Sequence, residues 1–255
     1  MSTIIYPSPI FGPVHSRRLG LSLGINLLPA DGKVCTFDCI YCECGFNADH
    51  RPTKPMPTRD EVAAALERKL EEMQQEGRLP DVLTFAGNGE PTCHPHFAEI
   101  IDDTIALRDR YCPEAKVSVL SNATLLHRQE VHDALMRVDN NILKLDTVDD
   151  AFIKQVDRPC GAYMASHTVE LLKTFHGHLI IQTMFLRSTE GLDNTTEHFV
   201  APWLKAVKAI RPQQVMIYTI DRETPDQQLQ KASREQLDAI RDRVLALGIP
   251  CTASY

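Results

Sequence analysis

Three cysteines within eight residues carry the strongest chemical signal in this sequence: Cys35, Cys39 and Cys42, spaced C-x3-C-x2-C. Thiolates this close together on one loop suit a single inorganic centre, and a cubane of four irons is usually held by cysteine thiolates. Three protein ligands leave one iron open to a small chelating molecule. A structural zinc site would want two well-separated ligand pairs, which the sequence does not show. The alternative is a chance cluster of structural cysteines in a cytosolic protein.

A second motif, Gly87-Asn88-Gly89-Glu90-Pro91, follows an apolar run about 45 residues after the cysteine loop. A glycine-rich turn at a strand end lets the backbone approach a ligand closely. On its own such a turn is weak evidence, since most are simply turns. Its position after a strand, downstream of the cysteines, favours a shared ligand site.

Polar residues also follow or interrupt three later apolar runs. Ser121 and Asn122 end one run, and Gln182 breaks another. In the run between them, period two places Lys144 and Asp146 on one face, which indicates a polar pocket. The alternative for that pair is a buried ion pair that holds the sheet together, because buried charges must be paired.

Six strands alternating with helices must position these residues. We predict the strands at 21–28, 81–86, 117–122, 141–147, 179–186 and 215–220, and helices at 59–75, 95–111, 127–138, within 149–176, at 202–210 and at 233–247. Alternating strands and helices imply a parallel sheet with right-handed crossovers. Each polar candidate falls at or beyond the carboxyl end of a strand, where such folds build their sites.

The composition is that of an ordinary globular protein. The 255 residues carry 27 Lys and Arg against 34 Asp and Glu, a net charge of −7, which argues against broad non-specific binding of nucleic acid. No apolar run is long enough to span a membrane, and the N-terminus does not read as a signal peptide. We therefore expect a cytoplasmic protein whose eight cysteines are thiols or metal ligands.

The run Cys35-Thr-Phe-Asp-Cys39-Ile-Tyr41-Cys42 resembles the signature of the radical S-adenosylmethionine (radical SAM) superfamily, with an aromatic residue before the last cysteine. The resemblance implies a partial (β/α)6 TIM-like barrel of parallel strands with the cluster loop after strand one. We expect one domain over 1–255, with a core at about 20–222, an N-terminal extension at 1–19 and the C-terminal helix at about 233–247.

The same resemblance implies the cofactors and their contacts. A [4Fe-4S] cluster would be held by the three cysteines, and SAM would chelate the open iron. One electron would cleave SAM to a 5′-deoxyadenosyl radical that abstracts hydrogen from a substrate. Cofactor contacts would come from Tyr41, from Gly87, Asn88, Gly89 and Glu90, from Ser121 and Asn122, and from Gln182; the candidate catalytic residues are Lys144 and Asp146.

A closer resemblance covers most of the chain, to bacterial radical SAM proteins related to wyosine-type tRNA-modifying enzymes. It is carried by the run from Phe11 to Asn26, the cysteine loop, the Gly87 turn, Leu120-Ser-Asn122 and Tyr218-Thr-Ile-Asp-Arg222. It leaves several functions open. They are radical SAM catalysis on an unidentified small molecule, tRNA or protein; wyosine-type tRNA modification; activation of a partner protein; and a non-catalytic iron–sulfur electron carrier or sensor.

The implied partners are SAM and a one-electron donor such as flavodoxin or ferredoxin. We expect no association with a membrane. Two local features, the segment 46–58 and Cys44, each have more than one interpretation. The segment 46–58 is either a solvated connector or, with Arg17, Arg18 and Lys33, a set of cations that face an anionic ligand near the cluster. Cys44 is a spare thiol, an alternative ligand or part of a substrate site.

Overall fold

The computed structural model describes residues 3–16 and 19–255, so Arg17 and Arg18 lie outside the described residues. The strands are β1 (Ile10–Ser16), β2 (Gly20–Ile25), β3 (Val82–Phe85), β4 (Lys116–Ser121), β5 (Asn140–Lys144), β6 (Ile180–Met184), β7 (Leu186–Ser188), β8 (Gln214–Tyr218), β9 (Leu229–Lys231) and β10 (Cys251–Ser254). The α-helices are α1 (Arg59–Gln75), α2 (Phe97–Tyr111), α3 (Gln129–Leu135), α4 (Asp150–Val156), α5 (Ala165–Lys173), α6 (Glu197–Ile210) and α7 (Arg234–Leu245), and a short 3-10 turn covers Pro91–Cys93.

The main sheet has the strand order β1-β2-β3-β4-β5-β6-β8-β10. Every neighbouring pair from β2 to β10 is parallel, whereas β1 joins its neighbour antiparallel. The sheet curls into a half-barrel, with the loops after the strands gathered at one edge. The strands β7 and β9 form a separate antiparallel pair beyond the ends of β6 and β8.

The outer face of the sheet packs against the helices in one apolar core. Leu23, Leu83 and Ile181 belong to this core and are fully buried. In α1 the residues Val62, Leu66, Leu70 and Met73 face it at helical spacing, and a capping box between Thr58 and Glu61 starts the helix. The inner face has a smaller cluster around Ile142, Ile180 and Met216. Polar side chains therefore have room on the inside, towards the strand ends.

The six predicted strands are confirmed, and the half-barrel agrees with the predicted fold class. Two strands of the main sheet were missed. No strand was predicted at 10–16, but β1 is an edge strand with an irregularity between Phe11 and Val14, where proline is tolerated. The strand β10 has only four residues and no apolar alternation strong enough to predict it.

Two helix predictions are also corrected. The segment 149–176 contains two helices, α4 and α5, where we predicted one, because the Arg158-Pro159 step interrupts the chain. The helix predicted at 202–210 begins earlier, since α6 starts at Glu197 and carries Pro202 inside it. In the described part of the chain, no helix combines the length and the apolar character needed to cross a membrane.

Candidate functional site

The cysteine loop follows β2 and lies directly on the glycine-rich turn after β3. The Val34 N–H donates to the Asn88 carbonyl at 3.0 Å, and the Glu90 N–H donates back to the Val34 carbonyl at 3.0 Å. This exchange makes an isolated parallel bridge between Val34 and Gly89. Two motifs that are separate in sequence therefore form one hydrogen-bonded unit, with Cys35 immediately after the bridge.

The far side of the cysteine loop is held by the segment that ends α4. The Ile40 N–H donates to the Val156 carbonyl at 2.9 Å, and the Cys160 N–H donates to the Thr36 carbonyl at 2.9 Å. A loop without regular structure needs such partners because its buried backbone groups must be satisfied. The loop is thus fixed from both sides before any ligand is considered.

A buried lysine lies behind the three cysteines. The Lys33 ammonium donates to the Gly45 carbonyl at 2.6 Å and to Asp38 Oδ1 at 3.4 Å. Burial alone would lower the pKa of Lys33, but the electrostatic influence of Cys42, Cys35 and Cys39 outweighs it and raises the pKa. A buried cation requires anionic partners. The surroundings of Lys33 therefore fit thiolates that carry negative charge.

The thiols differ in how readily they ionise. A hydrogen bond from Cys44 and the nearby Lys33 ammonium lower the pKa of Cys42 to about 6, although burial opposes them. Burial raises the pKa of Cys35 to about 12 and that of Cys39 well above its usual value. Metal ligation deprotonates thiols, so iron binding here would release protons.

Within residues 3–16 and 19–255, no three His, Cys, Asp or Glu side chains are arranged to hold one metal ion. A cubane does not need such convergence, because each thiolate binds a different iron. The donor set of three cysteines on one loop, backed by the Lys33 cation, fits a [4Fe-4S] cluster.

Glu90 links the turn after β3 to the end of β4. Its Oε1 accepts from the Thr92 N–H, the Thr92 hydroxyl and the Ser121 hydroxyl. Among the described residues, the single donor to Oε2 is the Asn122 N–H at 2.6 Å. Burial raises the pKa of Glu90, although these bonds act in the opposite direction. A carboxylate has about four acceptor positions, so Oε2 retains capacity for a ligand.

Asn122 connects the end of β4 to the cysteine loop. Its amide nitrogen donates to the Thr36 hydroxyl at 2.8 Å and lies 3.6 Å from the Cys35 sulfur. Its amide oxygen accepts from Thr124. The predicted cofactor residues Glu90, Ser121 and Asn122 are thus brought together around Cys35, and their contact with SAM stays a prediction.

Asn88 and Gly87 are occupied by other parts of the protein. The Asn88 amide group exchanges hydrogen bonds with the Tyr6 backbone and donates to the Pro29 carbonyl at 2.9 Å. The Gly87 carbonyl accepts from the Cys44 thiol at 3.4 Å. The Asn88 side chain therefore holds the N-terminal segment against the turn, and its predicted role in cofactor binding stays untested.

The N-terminal segment also reaches the residue between Cys42 and Cys44. The Ile4 N–H donates to the Glu43 carbonyl at 2.9 Å. The Arg222 guanidinium, from the loop after β8, donates to the Glu43 carboxylate at 2.6 Å and to the Tyr6 hydroxyl at 3.2 Å. The cysteine loop is thereby tied to both the beginning and the end of the sheet.

Lys144, Asp146 and Tyr41 form a buried array at the carboxyl end of β5. The Lys144 ammonium contacts the Tyr41 hydroxyl and the Asp146 carboxylate, and the same hydroxyl donates to Asp146. Lys144 also pairs with Asp157 at 3.0 Å. Burial would lower the pKa of Lys144, but Asp146 and Asp157 raise it well above its usual value. Lys144 is therefore a charged ammonium.

Asp157 was not identified from the sequence. It caps the end of α4, its side chain is 2% exposed, and its Oδ1 lies 3.5 Å from the Cys39 sulfur. Burial raises its pKa to about 6 despite the attraction of Lys144. Only the position of Asp157 next to Arg158-Pro159 was visible in the sequence, and no local pattern places it beside Cys39.

Gln182 lies beside Lys144 in the register between β5 and β6. Its amide nitrogen donates to the Tyr218 hydroxyl at 2.9 Å. The array is bordered by an apolar cluster that includes Ile40, Met184 and Ile220, with Tyr41 and Tyr218 packed against it. The strand ends thus form a polar recess with an apolar border, next to the cysteine loop.

A parallel half-barrel with three loop thiols at the carboxyl edge of its strands defines an iron–sulfur protein of the α/β class. The profile of the radical SAM superfamily matches residues 31–193, and the chain belongs to that superfamily. Its members are enzymes that use a [4Fe-4S] cluster and SAM, and the match confirms both of the cofactors predicted from the sequence.

The chain is also similar to a curated protein over most of its length. The chain is 31% identical over 222 residues to a UPF0026 protein of Helicobacter pylori, covering 85% of this chain and 67% of the relative. The chain thus spans about two thirds of the length of this curated relative.

Solved structures share the fold. A radical SAM methyltransferase from Sphaerobacter thermophilus gives a TM-score of 0.68 at 14% identity, covering 92% of this chain and 66% of that one. A structure of TYW1 with a lysine-pyruvate adduct bound gives a TM-score of 0.61 at 13% identity, covering 88% and 72%. At identities of 13% and 14%, these structures show a shared fold and nothing further.

Proposed function

We propose that this chain cleaves SAM reductively and uses the product to abstract hydrogen from a substrate. The observation that carries the proposal is the bridge between Val34 and Gly89, which joins the cysteine loop to the glycine-rich turn. A cluster on Cys35, Cys39 and Cys42 would then lie against the residues proposed to bind the methionine part of SAM. An electron carrier or sensor has no need of that juxtaposition.

In this proposal the cofactor contacts are those predicted from the sequence. The turn at 87–90 and the pair Ser121 and Asn122 would bind the amino acid part of SAM, with Glu90 Oε2 as the open acceptor. Tyr41 and Gln182 would line the nucleoside side. When bound, the cluster and SAM supply one-electron cleavage of a carbon–sulfur bond and hydrogen abstraction by the resulting 5′-deoxyadenosyl group.

The charge of the buried array supports a cationic ligand. Asp146 and Asp157 bring two carboxylates, and Lys144 brings one ammonium, with side chains between 1% and 13% exposed. Buried charges require compensation, and the sulfonium of SAM would supply a further positive charge. Lys144 and Asp146 would orient the ligand and the substrate through hydrogen bonds, while the apolar border excludes water.

The substrate is part of the proposal, and a small molecule, tRNA and a protein all remain candidates. The TYW1 structure holds a lysine-pyruvate adduct. Lys144 is unsuited to form such an adduct, because its ammonium is paired with two carboxylates and its pKa is raised. A wyosine-type reaction would need another amine. The reductant would be a one-electron donor such as flavodoxin or ferredoxin.

Anaerobic reconstitution with iron and sulfide, followed by dithionite and SAM, tests the proposal. Chromatography should detect 5′-deoxyadenosine from the wild type and none from Cys35→Ala, Cys39→Ala or Cys42→Ala. Cys251→Ala is the matched control, since Cys251 lies in the edge strand β10. A stable cluster without SAM binding would instead favour an electron carrier or sensor.

A further inference from the structure

Lys33 is a buried cation whose partners do not balance its charge. Its side chain is 1% exposed, whereas its carboxylate partner Asp38 is 24% exposed and 3.4 Å away. Asp38 Oδ1 is shared, since it also accepts from the Asn47 N–H at 2.7 Å. The shorter contact of Lys33, at 2.6 Å, is to the neutral carbonyl of Gly45. Most of the compensation for this ammonium must come from elsewhere.

The position of Lys33 identifies where that compensation comes from. The residue precedes Cys35 by two positions, and its ammonium reaches the Gly45 carbonyl at the other end of the loop. The ammonium therefore lies behind the segment that carries the three cysteines. The Gly45 N–H in turn donates to the Cys42 carbonyl at 2.9 Å, which links this lysine contact to the third cysteine. The charge of Lys33 thus lies beside the loop that would hold the cluster.

We infer that Lys33 sets the reduction potential of the cluster held by Cys35, Cys39 and Cys42, an inference that rests on the proposed function. Reduction transfers one electron from a donor to the cluster, forms or breaks no bond to the protein, and adds one negative charge. A nearby buried cation stabilises the reduced form more than the oxidised form, and net charge around a cluster is a main determinant of its potential. Lys33 therefore raises the potential towards the range of biological one-electron donors.

A substitution of Asp38 should shift the reduction potential in the opposite direction to a substitution of Lys33. The Asp38 carboxylate neutralises part of the Lys33 charge, so its removal leaves the ammonium with more effect on the cluster. Asp38→Asn keeps an oxygen that accepts from the Asn47 N–H, which preserves the loop contact. Lys33 and Asp38 are positioning residues, since they bind no iron themselves. They act on the cluster through the charges that they place beside its ligands.

The experiment is a redox titration of reconstituted protein followed by electron paramagnetic resonance. Lys33→Met should lower the midpoint potential enough to reduce the ratio of reduced to oxidised cluster about tenfold, which is about 59 mV for a one-electron couple. Asp38→Asn should shift the potential upwards. Lys208→Met, on the exposed face of α6, should leave it unchanged.

Unchanged potentials in both variants, or shifts in the same direction, would overturn the inference. If Lys33→Met retains no iron, Asp38→Asn decides alone: an upward shift supports the inference and an unmoved potential refutes it. Iron content and cluster absorbance of the wild type are read first. A wild type that holds no cluster would refute the proposed function itself, which separates the two failures.

Discussion

The carbonyl oxygen of Val34 lies 1.9 Å from the point where a side chain on Gly89 would begin. Gly89 also has a φ of +131°, a backbone conformation that favours glycine. The close approach of these two residues allows the cysteine loop to pair with the turn that follows β3.

Gly89→Ala should therefore disrupt the site from its backbone. We expect the free energy of unfolding to fall by about 1–3 kcal/mol, the cost of a strained backbone position, and iron retention to fall with it. Urea unfolding and iron analysis measure both. Gly161→Ala is the control, because a side chain there would meet nothing within 4 Å. Equal behaviour of the two variants would mean that the Val34 pairing is not needed.

Cys44→Ala should retain most of the cluster, in contrast to Cys42→Ala. The Cys44 thiol donates to the Gly87 carbonyl at 3.4 Å, which makes it a support for the glycine-rich turn beside the ligands. Iron content and visible absorbance after reconstitution compare the two variants. Loss of the cluster to the same extent in both would contradict the assignment of three ligands.

Glu90→Gln should weaken SAM binding while the cluster is retained. The glutamine oxygen can replace Oε1, but its NH2 group would then face the Asn122 N–H, and the negative charge is lost. Loss of a charge-assisted hydrogen bond costs about 1.5–3 kcal/mol, which is about tenfold or more in Kd. Equilibrium dialysis with SAM measures the change.

Thr92→Val is the matched control for Glu90. It removes one donor to Oε1 and leaves the carboxylate in place. A loss of SAM affinity as large as that of Glu90→Gln would show that the glutamate acts only through the fold of the turn.

Lys144→Met should destabilise the protein without its cofactors. It leaves Asp146 and Asp157 buried without their cation, and breaking a buried pair in this way costs about 3–5 kcal/mol. Adding Asp157→Asn to the variant should recover part of the loss, since one buried charge is removed. Urea unfolding of the three proteins checks this; no recovery in the double variant would argue against coupling of the two side chains.

Asp139 should make stability depend on pH. Burial would raise its pKa, but the Val117 N–H and the Arg108 guanidinium outweigh it and lower the pKa. A carboxyl group with a lowered pKa in the folded state stabilises the protein above its unfolded pKa, and this stability is lost as the pH falls. Asp139→Asn should cost about 1 kcal/mol at neutral pH.

The difference between wild type and Asp139→Asn should shrink when urea unfolding is repeated at acidic pH. Asp133→Asn is the control, because Asp133 is 54% exposed on α3. A difference that stays constant from neutral to acidic pH would show that the charge of Asp139 contributes nothing.

Much of the half-barrel could be predicted because its central strands are short apolar runs that end in polar residues. Leu83 and Leu143 lie within such runs, and both are fully buried. The edge strands β1 and β10 could not be predicted in this way. A strand that pairs on one side needs fewer apolar residues, so Pro13 in β1 and Thr252 in β10 gave no usable pattern.

The residues of the candidate site that belong to local sequence motifs could be predicted. Those that reach the site through tertiary contacts could not. The spacing of Cys35, Cys39 and Cys42 is enough to identify them as candidate ligands. Asp157 reaches Cys39 only because α4 returns to the cysteine loop, 118 residues further along the chain. Neither propensity nor periodicity encodes such a contact. The burial of Lys33 likewise depends on the fold of the segment around Gly45.

The ion pair between Arg222 and Glu43 joins residues that are 179 positions apart, and Arg222 contacts Tyr6 across 216 positions. During synthesis on a ribosome, the cysteine loop emerges long before the arginine that ties it down. Contacts between distant parts of a chain form late, because the intervening segment must first be ordered. The cysteine loop therefore receives this tether only when most of the chain has been made.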